Sequence, residues 1–154
     1  MTRNAAETAD LGKSLGAFIR EPALLTLEGE LAAGKTVFAK GFGHGLGIES
    51  VIKSPTYTYM CQYEGILPLY HMDAYHIPNG EAFQALGLEE FLFEPGIILI
   101  EWASQIEDIL PRERIAISLA KEEDENTRTI TIAPTGERYE KILEEWQAHE
   151  NFGL

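Results

Sequence analysis

Cysteine is almost missing from this chain: Cys61 stands alone. One cysteine cannot close an internal disulfide, and a lone one reads as a small buried apolar residue rather than a nucleophile. That usage predicts a reducing, cytosolic compartment. Long apolar runs are missing too. No stretch approaches the roughly 20 residues that span a bilayer, and Met1 to Leu15 lacks the basic start and apolar run of a signal peptide. Basic residues are scarce: 12 Lys and Arg stand against 25 Asp and Glu, a formal net charge of −13. An acidic surface repels phosphate backbones, so direct binding of nucleic acid by this chain alone is disfavoured. The charge suits plain solubility, or docking to a more basic protein. Repeats and low-complexity segments are absent.

What is present fits one compact domain spanning residues 1–154, with 45% hydrophobic residues to fill a core. Residues 5–19 carry Ala, Leu and Phe at helical spacing. Ala23 to Leu27 reads as a buried strand, and Thr36 to Leu46 as a helix with Val37, Phe38 and Phe42 toward a sheet. Val51 to Pro55 reads as a loop. Tyr57 to Tyr63 and Leu67 to Asp73 form a predicted hairpin around Glu64-Gly65. Residues 80–93 suggest two short helices split by Gly87. Ile97 to Ile100, a continuous apolar run after Pro95-Gly96, has the pattern of a strand buried on both faces. Ile115 to Leu119 and Thr129 to Ile132 make a second hairpin with an acidic turn at Glu122 to Asn126. Arg138 to His149 is a terminal helix with Tyr139, Ile142 and Trp146 on its inner face. The expected fold class is α/β: a P-loop NTPase-like domain with a mixed β-sheet flanked by helices.

The P-loop assignment rests on Gly29-Glu30-Leu31-Ala32-Ala33-Gly34-Lys35-Thr36. The octet fits the phosphate-binding pattern G-x-x-x-x-G-K-[ST], between a predicted strand and a predicted helix, which is the context the motif requires. Gly29 and Gly34 permit turns that a side chain would block. Successive N–H groups then converge on phosphate oxygens, with the positive end of the following helix behind them. The Lys35 ammonium reaches the β- and γ-phosphates, and the Thr36 hydroxyl is a Mg²⁺ ligand.

Two carboxylates follow at predicted strand ends, where ligands bind in open α/β sheets. Glu101, directly after Ile97 to Ile100, either holds Mg²⁺ or orients a metal-bound water, against the alternative of a strand-end residue facing solvent. Asp73, within His71-Met72-Asp73-Ala74-Tyr75, either orients an attacking water or ligates metal through one; the alternative is a cap on the next turn. His71 and Tyr75 read as positioning residues. Ser54-Pro55-Thr56-Tyr57 is either a nucleotide-sensing loop, with Thr56 near the γ-phosphate or metal, or a simple turn around Pro55. Asn-Lys-x-Asp and Asp-x-x-Gly are both absent, which disfavours a GTPase. So is the second basic cluster expected of a small kinase. Among the late arginines, Arg112, Arg114 and Arg128, a surface role is the simpler reading and an arginine finger the sharper one.

In this order and spacing, Gly29-Glu30-Leu31-x-Ala33-Gly34-Lys35-Thr36, Lys53-Ser54-Pro55-Thr56-Tyr57, His71-x-Asp73-x-Tyr75 and Leu99-Ile100-Glu101-Trp102 resemble the TsaE family (formerly YjeE) over about residues 5 to 133. These are small bacterial P-loop ATPases needed for threonylcarbamoyladenosine in tRNA. The resemblance implies ATP and Mg²⁺ as cofactors, bound along Gly29, Glu30, Leu31, Ala32, Ala33, Gly34, Lys35, Thr36 and Val37. It implies further nucleotide contacts at Ser54, Thr56 and Trp102, and Thr8 near the adenine. Thr36 and Glu101 would ligate the metal; Lys35, Asp73 and Glu101 would be catalytic. Two partners are implied, the transferase TsaD and its scaffold TsaB, with tRNA met only through their complex and ATP hydrolysis resetting the transferase. Departures from the family stand at Ala32, Val37, His76 and Ala103, which implies altered phosphate wrapping or slower turnover. Outside that family, the readings left open are a small-molecule phosphotransferase and a nucleotide-binding adaptor without turnover.

Overall fold

The computed structural model describes residues 1–30, 33–52, 55 and 59–150. Its centre is one six-stranded mixed sheet in the order β2-β3-β4-β1-β5-β6. The strands are β1 (Ala23–Glu28), β2 (Met60–Tyr63), β3 (Leu69–Asp73), β4 (Ile97–Glu101), β5 (Arg114–Lys121) and β6 (Arg128–Thr135). The four inner strands run parallel; β2 and β6 close the edges antiparallel to β3 and β5. The α/β reading, with helices flanking a mixed sheet, therefore holds. Strands β3 and β4 are buried at every residue, as unbroken apolar runs in a parallel sheet require.

Helices α1 (Ala5–Phe18), α2 (Lys35–Gly45) and α4 (Glu137–Glu150) cover one face. There Leu15, Phe38, Phe42, Leu143 and Trp146 pack on Leu25, Leu27, Leu99 and Ile117. Helix α3 (Gly80–Ala85) and two 3₁₀ helices, Glu89–Phe93 and Ala103–Ile109, cover the other face. Phe83, Leu92 and Ile106 there meet Tyr70, Met72, Ile98 and Ile100. The caps follow local chemistry. Asn4 accepts from the Glu7 N–H at the start of α1, and Asn79 from the Ala82 N–H at the start of α3, each filling an orphan donor of the first turn. Among the described residues no helix is long and apolar enough to cross a membrane.

The departures from the sequence reading are local. The strand expected over Tyr57 to Tyr63 begins only at Met60, because Tyr59 is left-handed at φ 68°; Tyr57 lies outside the described residues. Strand β3 begins at Leu69, after Pro68, which has no N–H to give a ladder. On α4 the buried stripe is Tyr139, Leu143 and Trp146, with Ile142 half-buried at its border. The second 3₁₀ helix has no counterpart in the sequence reading.

Candidate active site

The register of the sheet assembles the site. Leu27 and Asp73 both pair with Glu101, so β1, β3 and β4 end side by side. Gly29 directly follows β1, and Gly34 directly precedes α2. A side chain at Gly29 would stand 2.6 Å from the Leu119 carbonyl, so the loop leaves β1 pressed against β5. Gly34 is the N-cap of α2, left-handed at φ 104° and without a side-chain cap. A larger residue is strained in that conformation. The uncapped first turn directs its N–H groups and the positive end of the helix into the loop.

Lys35, in that first turn, is 6% exposed. Its Nζ donates to the Gly29 carbonyl and, at 3.1 Å, to that of Glu30. It also lies 4.2 Å above the Trp102 ring. Burial pushes its pKa below the ordinary lysine value, while the carboxylates of Glu101, Asp73 and Glu28 pull it back. Both predicted acids are interior: Asp73 is 2% and Glu101 3% exposed. The solvent-facing alternative for Glu101 is thereby excluded. One Glu101 oxygen, Oε2, lies 2.7 Å from Nε2 of His71. Asp73 accepts the Tyr75 N–H at 2.8 Å, so it caps the following turn while lying beside Glu101. Thr36 and Val37 are half-buried in the first turn of α2.

The rim is aromatic and polar. Trp102 is left-handed at φ 58°, a conformation that costs a non-glycine residue about 1–2 kcal/mol. Its ring lies 4.9 Å from Tyr75, which in turn meets His76 edge-on at 4.8 Å. Ala103 is buried and opens the 3₁₀ helix. Thr8 is brought to the loop as well: it is buried, its hydroxyl bonds Thr2 at 2.7 Å, and its methyl lies 3.9 Å from where a Gly34 side chain would begin. Leu31, Ala32, Lys53, Ser54, Thr56 and Tyr57 lie outside the described residues.

Glu28 escaped the sequence reading, and Arg128 takes neither the surface role nor the finger role weighed for it there. Glu28 accepts the Ser104 N–H at 2.7 Å, fixing the start of the 3₁₀ helix behind Trp102. Its position at the end of an apolar strand, directly before Gly29, was the available signal. Arg128, from β6, donates through Nε to the Ala33 carbonyl at 3.0 Å. It braces the loop from the side and is engaged with backbone rather than poised as a finger.

The donor set tests which ion the site suits. Thr36, Asp73 and Glu101 offer oxygens only, the preference of Mg²⁺. Among the described residues no three His, Cys, Asp or Glu side chains group as a metal cage. Mg²⁺ characteristically takes one or two protein oxygens and completes its shell with water and phosphate. An uncapped helix N-terminus, a glycine-bounded loop and a buried lysine match the needs of a phosphate chain.

The model of the family described as Threonylcarbamoyl adenosine biosynthesis protein TsaE matches residues 2–130. A relative from Bacillus subtilis, "tRNA threonylcarbamoyladenosine biosynthesis protein TsaE", is 44% identical over 151 residues, 97% of this chain and 94% of its own. One of the same description from Treponema pallidum is 41% identical over 133 residues, 86% of this chain and 98% of its own. A solved structure, "Crystal structure of Bacillus subtilus YdiB", superposes with a TM-score of 0.85 at 42% identity, covering 97% of this chain and 93% of that one.

Proposed function

The chain belongs to the TsaE family, and from that membership we propose that it is a Mg²⁺-dependent ATPase serving threonylcarbamoyladenosine modification of tRNA. In this reading it works in the cytoplasm with TsaB and TsaD, and its hydrolysis of ATP resets the transferase. The carrying observation is the convergence of Lys35, Asp73 and Glu101 beneath the uncapped start of α2. The net charge of −13 supports contact with proteins over contact with bare tRNA.

Each residue has a distinct task. The loop N–H groups and the α2 N-terminus receive the phosphates of ATP. Lys35 exchanges the Gly29 and Glu30 carbonyls for phosphate oxygens, which stabilises charge as the γ-phosphoryl leaves. Thr36 and Glu101 would hold Mg²⁺, which would supply charge neutralisation at the phosphates when bound. Asp73 orients the attacking water. Trp102 packs over Lys35 and shields the site from bulk water, and Thr8 lies on the adenine side, with Ser54 and Thr56 answering to the γ-phosphate.

Phosphate release by variants tests this assignment. Lys35→Ala is expected to abolish release. Asp73→Ala is expected to keep ATP binding while losing about 10²–10⁴-fold in turnover, the usual worth of a residue handling the attacking proton. Full release by Lys35→Ala refutes the proposal. ATP-dependent partner binding that Asp73→Ala leaves intact, with no phosphate released by the parent protein, instead identifies a nucleotide-binding adaptor.

A further inference from the structure

We propose that His71 is a positioning residue that fixes the Glu101 carboxylate for Mg²⁺, an inference that rests on the function proposed above. Strand β3 pairs with β4 so that His71 stands opposite Leu99 and Asp73 opposite Glu101. Side chains two apart on a strand share a face. His71 therefore lies on the side of Leu69 and Leu99, the face under α1 and α2, one step inward from the two carboxylates.

His71 is 0% exposed. Its one hydrogen bond among the described residues is the 2.7 Å contact from Nε2 to Glu101 Oε2, and its Nδ1 is buried without a partner. That pattern assigns the tautomer. With the proton on Nδ1, a buried N–H is orphaned and a bare Nε2 lone pair faces a carboxylate. With the proton on Nε2, the ring donates a charge-assisted bond and only a lone pair goes unmet. The Nε2–H form is the one the contact requires. It occupies one carboxylate oxygen and leaves the other to the metal or its water.

A buried imidazole with an unsatisfied nitrogen is a costly way to fill a core between β-strands, where an aliphatic side chain would pack without penalty. Its placement against the proposed metal ligand accounts for that cost. Such a partner restricts the rotation of Glu101, so less ordering remains when metal binds. Outer-shell partners of this kind are typically worth about 10–100-fold in metal affinity.

Two amides separate this role from packing. Gln carries its nitrogen where Nε2 lies, and Asn where Nδ1 lies. ATP binding by the full-length protein is followed by calorimetry in EDTA and across a Mg²⁺ titration. His71→Asn is expected to raise the Mg²⁺ concentration for half-maximal effect about tenfold or more. His71→Gln is expected to stay within about threefold of the parent, and both are expected to keep the parent's affinity for ATP in EDTA. Should His71→Asn fail to fold, His71→Leu takes its place with the same expected rise. Equal Mg²⁺ requirements in the parent, Gln and Asn or Leu variants overturn this role, as does an equal loss for Gln and Asn that persists in EDTA. ATP binding by the parent that ignores Mg²⁺ overturns the proposed function, and this role with it.

Discussion

At the scale of single residues, Lys35 carries the most information, because its surroundings set its chemistry. Burial lowers its pKa, and Glu101, Asp73 and Glu28 oppose the shift. In the proposed function, bound phosphates would add negative charge and favour the ammonium, so nucleotide would raise that pKa again. Between the free and bound values, binding takes up a proton. Affinity for Mg-ATP is therefore expected to be flat at neutral pH and to fall on the alkaline side, beginning below the ordinary lysine value of 10.5. Calorimetry in buffers of different ionisation enthalpy reads the proton uptake directly. Lys35→Arg is expected to remove both the uptake and the slope, since a guanidinium does not titrate there. A parent protein whose affinity holds constant up to pH 10.5 contradicts this account of the lysine. Trp102 adds the second unusual residue: its left-handed backbone follows β4 at once and swings the indole over Lys35.

At the scale of elements, the site depends on how closely α1 and α2 approach. A side chain at Gly41 would stand 2.0 Å from the Ala9 carbonyl, and one at Gly16 would stand 2.2 Å from that of Phe42. In open space Gly→Ala inside a helix gains about 0.5–1 kcal/mol. Here the added methyl forces the helices apart, at the cost of overpacking, about 1–3 kcal/mol or more. Each 1 kcal/mol moves Tm by about 2–4 °C in a protein of this size. Thermal unfolding of Gly41→Ala is accordingly expected several degrees below the parent; a rise in Tm contradicts the packing described. The elements themselves were largely legible. The unbroken run Ile97 to Ile100 gave β4, and its end gave Glu101; the glycine-lysine octet gave the start of α2 to within one residue. What escaped needed contacts from distant chain. The 3₁₀ helix Ala103–Ile109 begins where Glu28, 76 residues earlier, accepts the Ser104 N–H. The His71–Glu101 bond spans 30 residues and exists only because β3 and β4 are neighbours in this register. Periodicity shows that each residue lies in or ends a strand, not which strands pair.

At the scale of the whole molecule, the parallel centre of the sheet gathers its chemistry at one edge: Lys35 at the start of α2, and Glu28, Asp73 and Glu101 at three strand ends. Twenty-five acidic residues against twelve basic ones leave the remaining surface strongly negative. That balance suits association with proteins and discourages the molecule from gripping tRNA unaided. Lys35 is bonded to the carbonyls of its own loop, so in the proposed function ATP would have to displace those bonds. A partner that favours the displaced arrangement would raise turnover, by as much as it prefers that arrangement. The most direct measurement is phosphate release from Mg-ATP by the purified chain, alone and with a purified TsaB–TsaD pair. The account predicts slow release alone and strong stimulation by the pair, lost in Lys35→Ala. Release that the pair leaves unchanged, with nucleotide still bound, contradicts it.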